Sequence, residues 1–274
     1  MNYRLIALDV DGTLLNDRYE LTERTKRTVR DVHEAGATIV LCTGRSPVNT
    51  LPIMEELGLE GTLITHNGAA TVLSSDRSVV AECPFEMEQL HPLIRYCREH
   101  RVHMDLCTPF NSFVEGAIGE TETAMYAKFM LEPSRTDDLA RLSVSPVKFT
   151  AFADKETMDR VERDWLAMEL PLAIIRSGDY FIDVMHPEAT KGNSLKRLAD
   201  SLGIDRSQVM AIGNYFNDVE MIRFAGLGIA MDNSPDGVKE AADAVTASNN
   251  EDGVHLALVR HVLEAGELLH TKKD

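Results

Sequence analysis

Short apolar runs that stop at Asp, Asn or Gly alternate along this chain with amphipathic stretches of helical spacing, the pattern of βαβ units around a parallel sheet. The N-terminal third shows it most plainly. Leu5-Ile6-Ala7-Leu8 gives a first strand, and Thr22 then caps a helix that runs to Ala35 with Gly36 as its stop. Thr38-Ile39-Val40-Leu41-Cys42 is the next strand and ends in Thr43-Gly44-Arg45. A further helix breaks near Gly58, and Leu63-Ile64-Thr65 leads to the turn signal His66-Asn67-Gly68. The pattern resumes after Lys191, with a helix over 194–202, a strand over 209–212, a helix over 219–224, a short strand over 228–231 and a closing helix over 253–269.

The middle reads differently. Residues 102–107, 112–115, 148–153 and the pair flanking Ser177-Gly178-Asp179 alternate as half-exposed strands, which are usually antiparallel, and helical stretches at 87–100 and 154–169 would cover one face. At 274 residues the chain suits one large domain or two smaller ones. We therefore expect an α/β fold: a Rossmann-like parallel-sheet core, residues 1–82 plus 188–274, interrupted by an inserted α+β domain, residues 83–187. Arg95, Arg98 and Arg101 lie along one helix of that insertion and read as a solvated face.

The first strand runs straight into Asp9-Val10-Asp11-Gly12-Thr13. Side chains two apart on a strand share a face, so Asp9 and Asp11 point together into the space beyond the strand end and repel each other there. A divalent cation, or a proton kept on one of them, relieves that repulsion. A surface Asx turn closed by Gly12 is the alternative. An EF-hand is excluded by Thr13-Leu14-Leu15, which stands where further oxygen ligands should be.

Charge narrows the partners. A formal net charge of −16 argues against a nucleic-acid surface, and an anionic substrate would need a metal or a few placed cations to reverse the field locally. Cys42, Cys83, Cys97 and Cys107 show no zinc or paired spacing and read as free thiols of a reducing compartment. No leader precedes the first strand and no apolar stretch reaches the roughly 20 residues that span a bilayer, so a cytoplasmic protein without membrane contact is expected.

In open α/β sheets ligands bind beyond the carboxyl ends of the strands. Four such ends carry polar groups: Asp9 with Asp11, Thr43 with Arg45, Asn67, and Gly213-Asn214 followed by Asn217-Asp218. With Lys191 beside Gly192 they supply carboxylates for a cation, a hydroxyl and amides for an anion, and an ammonium for phosphate charge, which is what phosphoryl transfer demands. Taken alone, Thr43-Gly44 is a strand-ending turn, and Asp218 suits the first turn of the next helix. Lys191 has no dipole reason to sit at a helix start. Cys42 reads as a small buried hydrophobe, His66 as structural, and the segment near Met125 and Met130 as packing.

The ordered set Asp9-Val10-Asp11-Gly12-Thr13, Thr43-Gly44-Arg45, Lys191-Gly192 and Gly213-Asn214 to Asn217-Asp218 resembles the haloacid dehalogenase superfamily of phosphohydrolases. The insertion, the Asn67-Gly68-Ala69 turn and the Gly228-Ile229-Ala230-Met231 strand resemble its Cof-type branch, in which an α/β cap covers the site. The resemblance spans essentially the whole chain. It implies that Asp9 is the nucleophile and forms an aspartyl-phosphate, and that Asp11 is the general acid and then base. It also implies that Mg2+ is held by Asp9 and Asp11 with Asn214 and Asp218 at the same centre. Thr43, Gly44, Arg45, Lys191 and Asn217 would bind the phosphate. The expected partner is a small phosphorylated metabolite, a sugar phosphate or similar, and the expected state a monomer or homodimer.

Two positions depart from the family. Asn214 stands where relatives carry Asp, which removes a charge from the metal site and weakens it by on the order of a kcal/mol or more. Asp232 stands where relatives tend to have Gly. Besides a magnesium-dependent phosphatase, a phosphomutase or a catalytically weakened metabolite-binding or regulatory protein fits these residues.

Overall fold

The computed structural model describes residues 2–128 and 131–264. The chain begins with β1 (Leu5–Asp9), α1 (Glu23–Glu34), β2 (Thr38–Cys42), α2 (Pro47–Leu57) and β3 (Thr62–Thr65). Each boundary has a local cause. Thr22 accepts the Thr25 N–H to start α1, and Ser46 with Pro47 starts α2. Gly58 ends α2 in the left-handed region, at φ 69°. After β3 the chain turns through His66, Asn67 and Gly68, all at positive φ, and doubles back as the hairpin β4 (Ala70–Leu73) and β5 (Val79–Glu82). The antiparallel return was not visible in the sequence, because its turn, Ser74 to Ser78, lies among residues that read equally as loop.

Residues 81–189 form one compact unit and residues 1–80 with 190–274 the other. The first of these runs α3 (Met87–His100), β6 (His103–Cys107), β7 (Ser112–Glu115), α4 (Glu120–Lys128), β8 (Ser134–Thr136), β9 (Lys148–Phe152), α5 (Lys155–Leu166), β10 (Ala173–Gly178) and β11 (Phe181–Met185). Its six strands lie in the order β10-β11-β9-β6-β7-β8, antiparallel except for the parallel β7–β8 pair. Leu90, Leu93, Ile94, Val161 and Trp165 of its helices close over Met104, Leu106, Phe149, Ala151, Ile182 and Val184, one face of the sheet. Helix α4 was not anticipated, since 120–128 lacks a clear apolar stripe. Met130 lies outside the described residues. Arg98 is not merely solvated: it bonds Glu115 and Asp138, while Arg95 and Arg101 are exposed.

The parallel unit resumes with α6 (Lys191–Ser201), β12 (Val209–Gly213), α7 (Val219–Phe224), β13 (Leu227–Ala230), α8 (Asp236–Lys239), β14 (Ala244–Val245) and α9 (Gly253–Leu258), extended by a π-helical turn to Leu263. The rest of the expected closing helix, 265–269, lies outside the described residues. The strand order is β14-β13-β12-β1-β2-β3-β4-β5, parallel from β14 through β3. β1 sits between β2 and β12, so the strand order reverses across it and a crevice opens beyond its carboxyl end. All five residues of β1 are buried. Leu5 and Ala7 face Leu195, Ala199 and Met221 on one side of the sheet, the two-sided burial that makes parallel strands read as unbroken apolar runs.

Candidate active site

The carboxyl ends of β1, β2, β3 and β12 bring the expected polar residues together within the parallel unit. Asp9 is the last residue of β1 and 4% exposed. Its Oδ1 accepts from Lys191 Nζ at 2.7 Å, whereas its Oδ2 is buried with no hydrogen-bond partner. Lys191, the first residue of α6, is placed by Thr190, whose hydroxyl accepts the Asn193 N–H. The Lys191 ammonium is 1% exposed and bridges Asp9 to Asp218 Oδ1, at 2.6 Å. Burial first, and then the charge of Asp218, raise the Asp9 carboxyl to about 7 against the pull of Lys191; the two carboxylates hold Lys191 above its ordinary range despite burial.

Asp218, expected near the metal, has its oxygens engaged by the protein. Oδ1 takes Lys191, and Oδ2 accepts the backbone N–H groups of Asn214 and Tyr215 at 2.8 and 3.0 Å. It shapes the turn after β12 and orients the lysine. Gly213 is required there, since a Cβ would stand 2.6 Å from the Asp218 side chain. Asn214 Oδ1 accepts from the Thr13 hydroxyl at 3.3 Å, and its amide lies against Gly12, where a Cβ would meet Nδ2 at 2.3 Å. Asn214 is thus fixed beside the Asp9–Thr13 loop.

Asp11 projects from the loop after β1 and is held by Arg45, whose Nε and Nη2 donate to its two oxygens at 2.9 and 2.6 Å. Thr43 is fully buried; its hydroxyl accepts the Arg45 N–H at 3.1 Å and keeps its own proton for donation. Asn67 closes the group: its N–H bonds the Thr43 carbonyl, its Oδ1 accepts from Asn217 Nδ2 at 2.9 Å, and a Cβ on Gly44 would come within 3.0 Å of that oxygen. Thr13 and Asn67 are junctions with no role assigned from the sequence, although Asn67 stands among the polar strand ends. Their signals were the Thr after the D-x-D-G run and the Asn-Gly pair at a strand end. Cys42 is buried and its thiol is pushed far up by desolvation, which fits packing rather than nucleophilic chemistry. His66 is buried in the turn after β3. Asp232 is an exposed loop residue paired with Lys239 at 3.0 Å.

Among the described residues no three His, Cys, Asp or Glu side chains gather as a metal-holding group. The orphaned Asp9 Oδ2 is a buried carboxylate oxygen of the kind a hard cation accepts, and the Asn214 amide, whose Oδ1 takes the Thr13 hydroxyl, is a neutral donor held beside the Asp9–Thr13 loop.

The sequence profile of haloacid dehalogenase-like hydrolases matches residues 6–258. A Bacillus subtilis protein named "Putative phosphatase YxeH" is 35% identical over 95% of this chain and 99% of its own. The 5-amino-6-(5-phospho-D-ribitylamino)uracil phosphatase YcsE of the same organism is 29% identical over 96% of this chain and 97% of its own. A crystal structure of a haloacid dehalogenase-like hydrolase from Bacteroides thetaiotaomicron, 29% identical, covers 94% of this chain and 99% of its own with a TM-score of 0.84.

Proposed function

This chain belongs to the haloacid dehalogenase-like hydrolase family and is a phosphoric monoester hydrolase, and from that premise we propose a magnesium-dependent phosphatase that passes the phosphoryl group of a small metabolite through Asp9 to water. One observation carries the reading: a buried carboxylate at the end of the central strand, one oxygen fixed by Lys191 and the other without a partner. An Asp9 carboxylate oxygen attacks phosphorus and the ester oxygen leaves with a proton from Asp11. Asp11 then takes a proton from the incoming water, whose oxygen bonds phosphorus as the Asp9–phosphorus bond breaks and inorganic phosphate departs. Thr43, Gly44, Lys191 and Asn217 donate to the phosphoryl oxygens. Arg45 must leave Asp11 before Asp11 can carry a proton, and the phosphoryl dianion is the partner that draws it away.

Magnesium, held by Asp9, the Asp11 carbonyl and Asn214, would offset the repulsion between carboxylate and phosphate. A sugar phosphate or a similar small ester is the substrate class, in keeping with the ribityl phosphate named for one relative. The four cysteines are free and buried, and among the described residues no helix is long and apolar enough to cross a membrane; the first of these supports a reducing, cytoplasmic setting.

The test is hydrolysis of p-nitrophenyl phosphate with magnesium and with chelator, beside Asp9→Asn. Magnesium-dependent release that disappears in the variant is expected; release that survives the substitution would remove Asp9 from the role of nucleophile.

A further inference from the structure

We propose that Asn249, braced by Asn233, is a positioning residue for proton transfer: it fixes the loop that carries Asp11 and so decides whether that carboxyl reaches the leaving oxygen. The inference rests on the phosphatase reading above. The Asp11 side chain is 46% exposed and both of its oxygens bond Arg45. Once Arg45 turns to the phosphoryl group, the acid stands wherever the main chain of its loop puts it.

The N–H groups of that loop bond within it. Leu14 donates to the Asp9 carbonyl at 3.3 Å and Leu15 to the Val10 carbonyl at 2.9 Å, which lays Leu15 beside Asp11. Two of its carbonyls are held from a distant part of the chain. Asn249 Nδ2 donates to the Leu15 carbonyl at 3.1 Å and to Asp17 Oδ1 at 3.0 Å, and Asn233 Nδ2 donates to the Gly12 carbonyl at 2.8 Å. The Asn249 N–H donates in turn to Asn233 Oδ1 at 3.1 Å, so the two grips are linked. Gly12, at φ 75°, follows Asp11 directly, and Leu15 lies across from it, so both neighbours of the acid's main chain are tied to one side-chain pair. Asn249 is 6% exposed and its Oδ1 is buried with no hydrogen-bond partner. Both partners of Nδ2 are acceptors only, so the amide cannot turn over to satisfy that oxygen without losing them. An unmatched buried acceptor destabilises a fold, and the residue type at 249 is accounted for by the two bonds its Nδ2 makes.

The leaving group reads the acid step. p-Nitrophenolate departs without a proton, whereas phenolate, whose conjugate acid has a pKa of about 10 as in tyrosine, leaves far better with one. Because kcat/KM extends only through departure of the phenol, it reports Asp11 as acid and not its later action as base. The experiment compares kcat/KM for p-nitrophenyl phosphate and phenyl phosphate, at saturating magnesium, in the unaltered protein, Asn249→Leu, Asn233→Ala and Asp11→Asn. In both asparagine variants the value for phenyl phosphate should fall about tenfold or more beyond any fall for p-nitrophenyl phosphate, in the direction Asp11→Asn shows. A structural role alone removes active molecules without regard to leaving group. Falls in a folded Asn249→Leu that match for the two esters within about twofold, or no fall at all, would therefore overturn the proposal, and a shift confined to Asn249→Leu would remove Asn233 from it. Should Asn249→Leu not fold, Asn233→Ala, at an exposed position, decides. Asp11→Asn separates the two ideas. If it leaves the ratio of the esters unchanged, Asp11 is not the acid and that part of the phosphatase reading falls together with this inference; if it shifts the ratio and the asparagine variants do not, only this inference falls.

Discussion

Replacing Lys191 by Met should be among the most damaging single changes in the parallel unit. The Lys191 side chain is 1% exposed and its Nζ lies 2.7 Å from Asp9 and 2.6 Å from Asp218, whose side chains are 6% and 0% exposed. Met fills much the same volume, so the loss is electrostatic: two buried carboxylates remain with no cation between them. Removing one partner of a buried ion pair costs about 3–5 kcal/mol. For a unit of this size each kcal/mol moves Tm by about 2–4 °C, so a fall of roughly 6–20 °C follows. The penalty should also depend on pH. Asp9 already titrates near 7 when folded, against 3.8 ordinarily, so its contribution to stability is greatest below about pH 4 and is lost as pH rises toward 7. Without the lysine its carboxyl is raised further and that loss deepens, so the variant should suffer more at pH 8 than at pH 5. Calorimetry at the two pH values reads this directly, and the pair Lys191→Met with Asp218→Asn, which removes one of the two stranded charges, should recover at least half of the lost Tm. A fall of less than about 3 °C at pH 8, the same fall at pH 5, or simple additivity in the double variant would refute the reasoning.

Two further expectations concern pH and the turn after β3. Because Asp9 must be ionised to attack and its carboxyl is raised to about 7, kcat/KM at low magnesium should rise with pH through about 7, and saturating magnesium should move that limb to lower pH; a limb that ignores magnesium would separate the titrating group from the cation. Gly68→Ala would hold an L side chain at φ 102° with its Cβ 2.2 Å from the Thr190 carbonyl oxygen, just before Lys191, so a loss of about 3 kcal/mol or more in thermal unfolding is expected together with reduced turnover.

Much of this was legible in the sequence because parallel strands buried on both faces leave unbroken apolar runs with polar ends. Thr22, Ala35 and Gly36 bound α1 as their residue types require, and the turn residues at 43–45, 66–68 and 213–218 marked three of the four strand ends that meet. Partner choice was not legible. That Arg45 holds Asp11, and that Asp218 spends its oxygens on Lys191 and two amides, depends on how the ends of neighbouring strands and the start of α6 are brought together in space. The β4–β5 return and α4 escaped notice for another reason. The edge strand β5 and the helix α4 carry weak periodicity, since little of either is buried, and β4, though buried, is only four residues long.

The position of β1 in its sheet has a consequence for how the protein is made. One neighbour, β2, follows within the next 35 residues, but the other, β12, lies at Val209–Gly213. During synthesis the insertion, residues 81–189, leaves the ribosome with all six of its strands present, while β1 still shows an unpaired hydrogen-bonding edge and a carboxylate 182 residues ahead of its lysine. Such long-range pairing makes the parallel unit the slow folder of the two, and domains of this size condense largely as units. An incomplete chain therefore has a finished insertion and no hydrolytic centre, and its bare β1 edge is the segment that a chaperone or a stray strand would meet first.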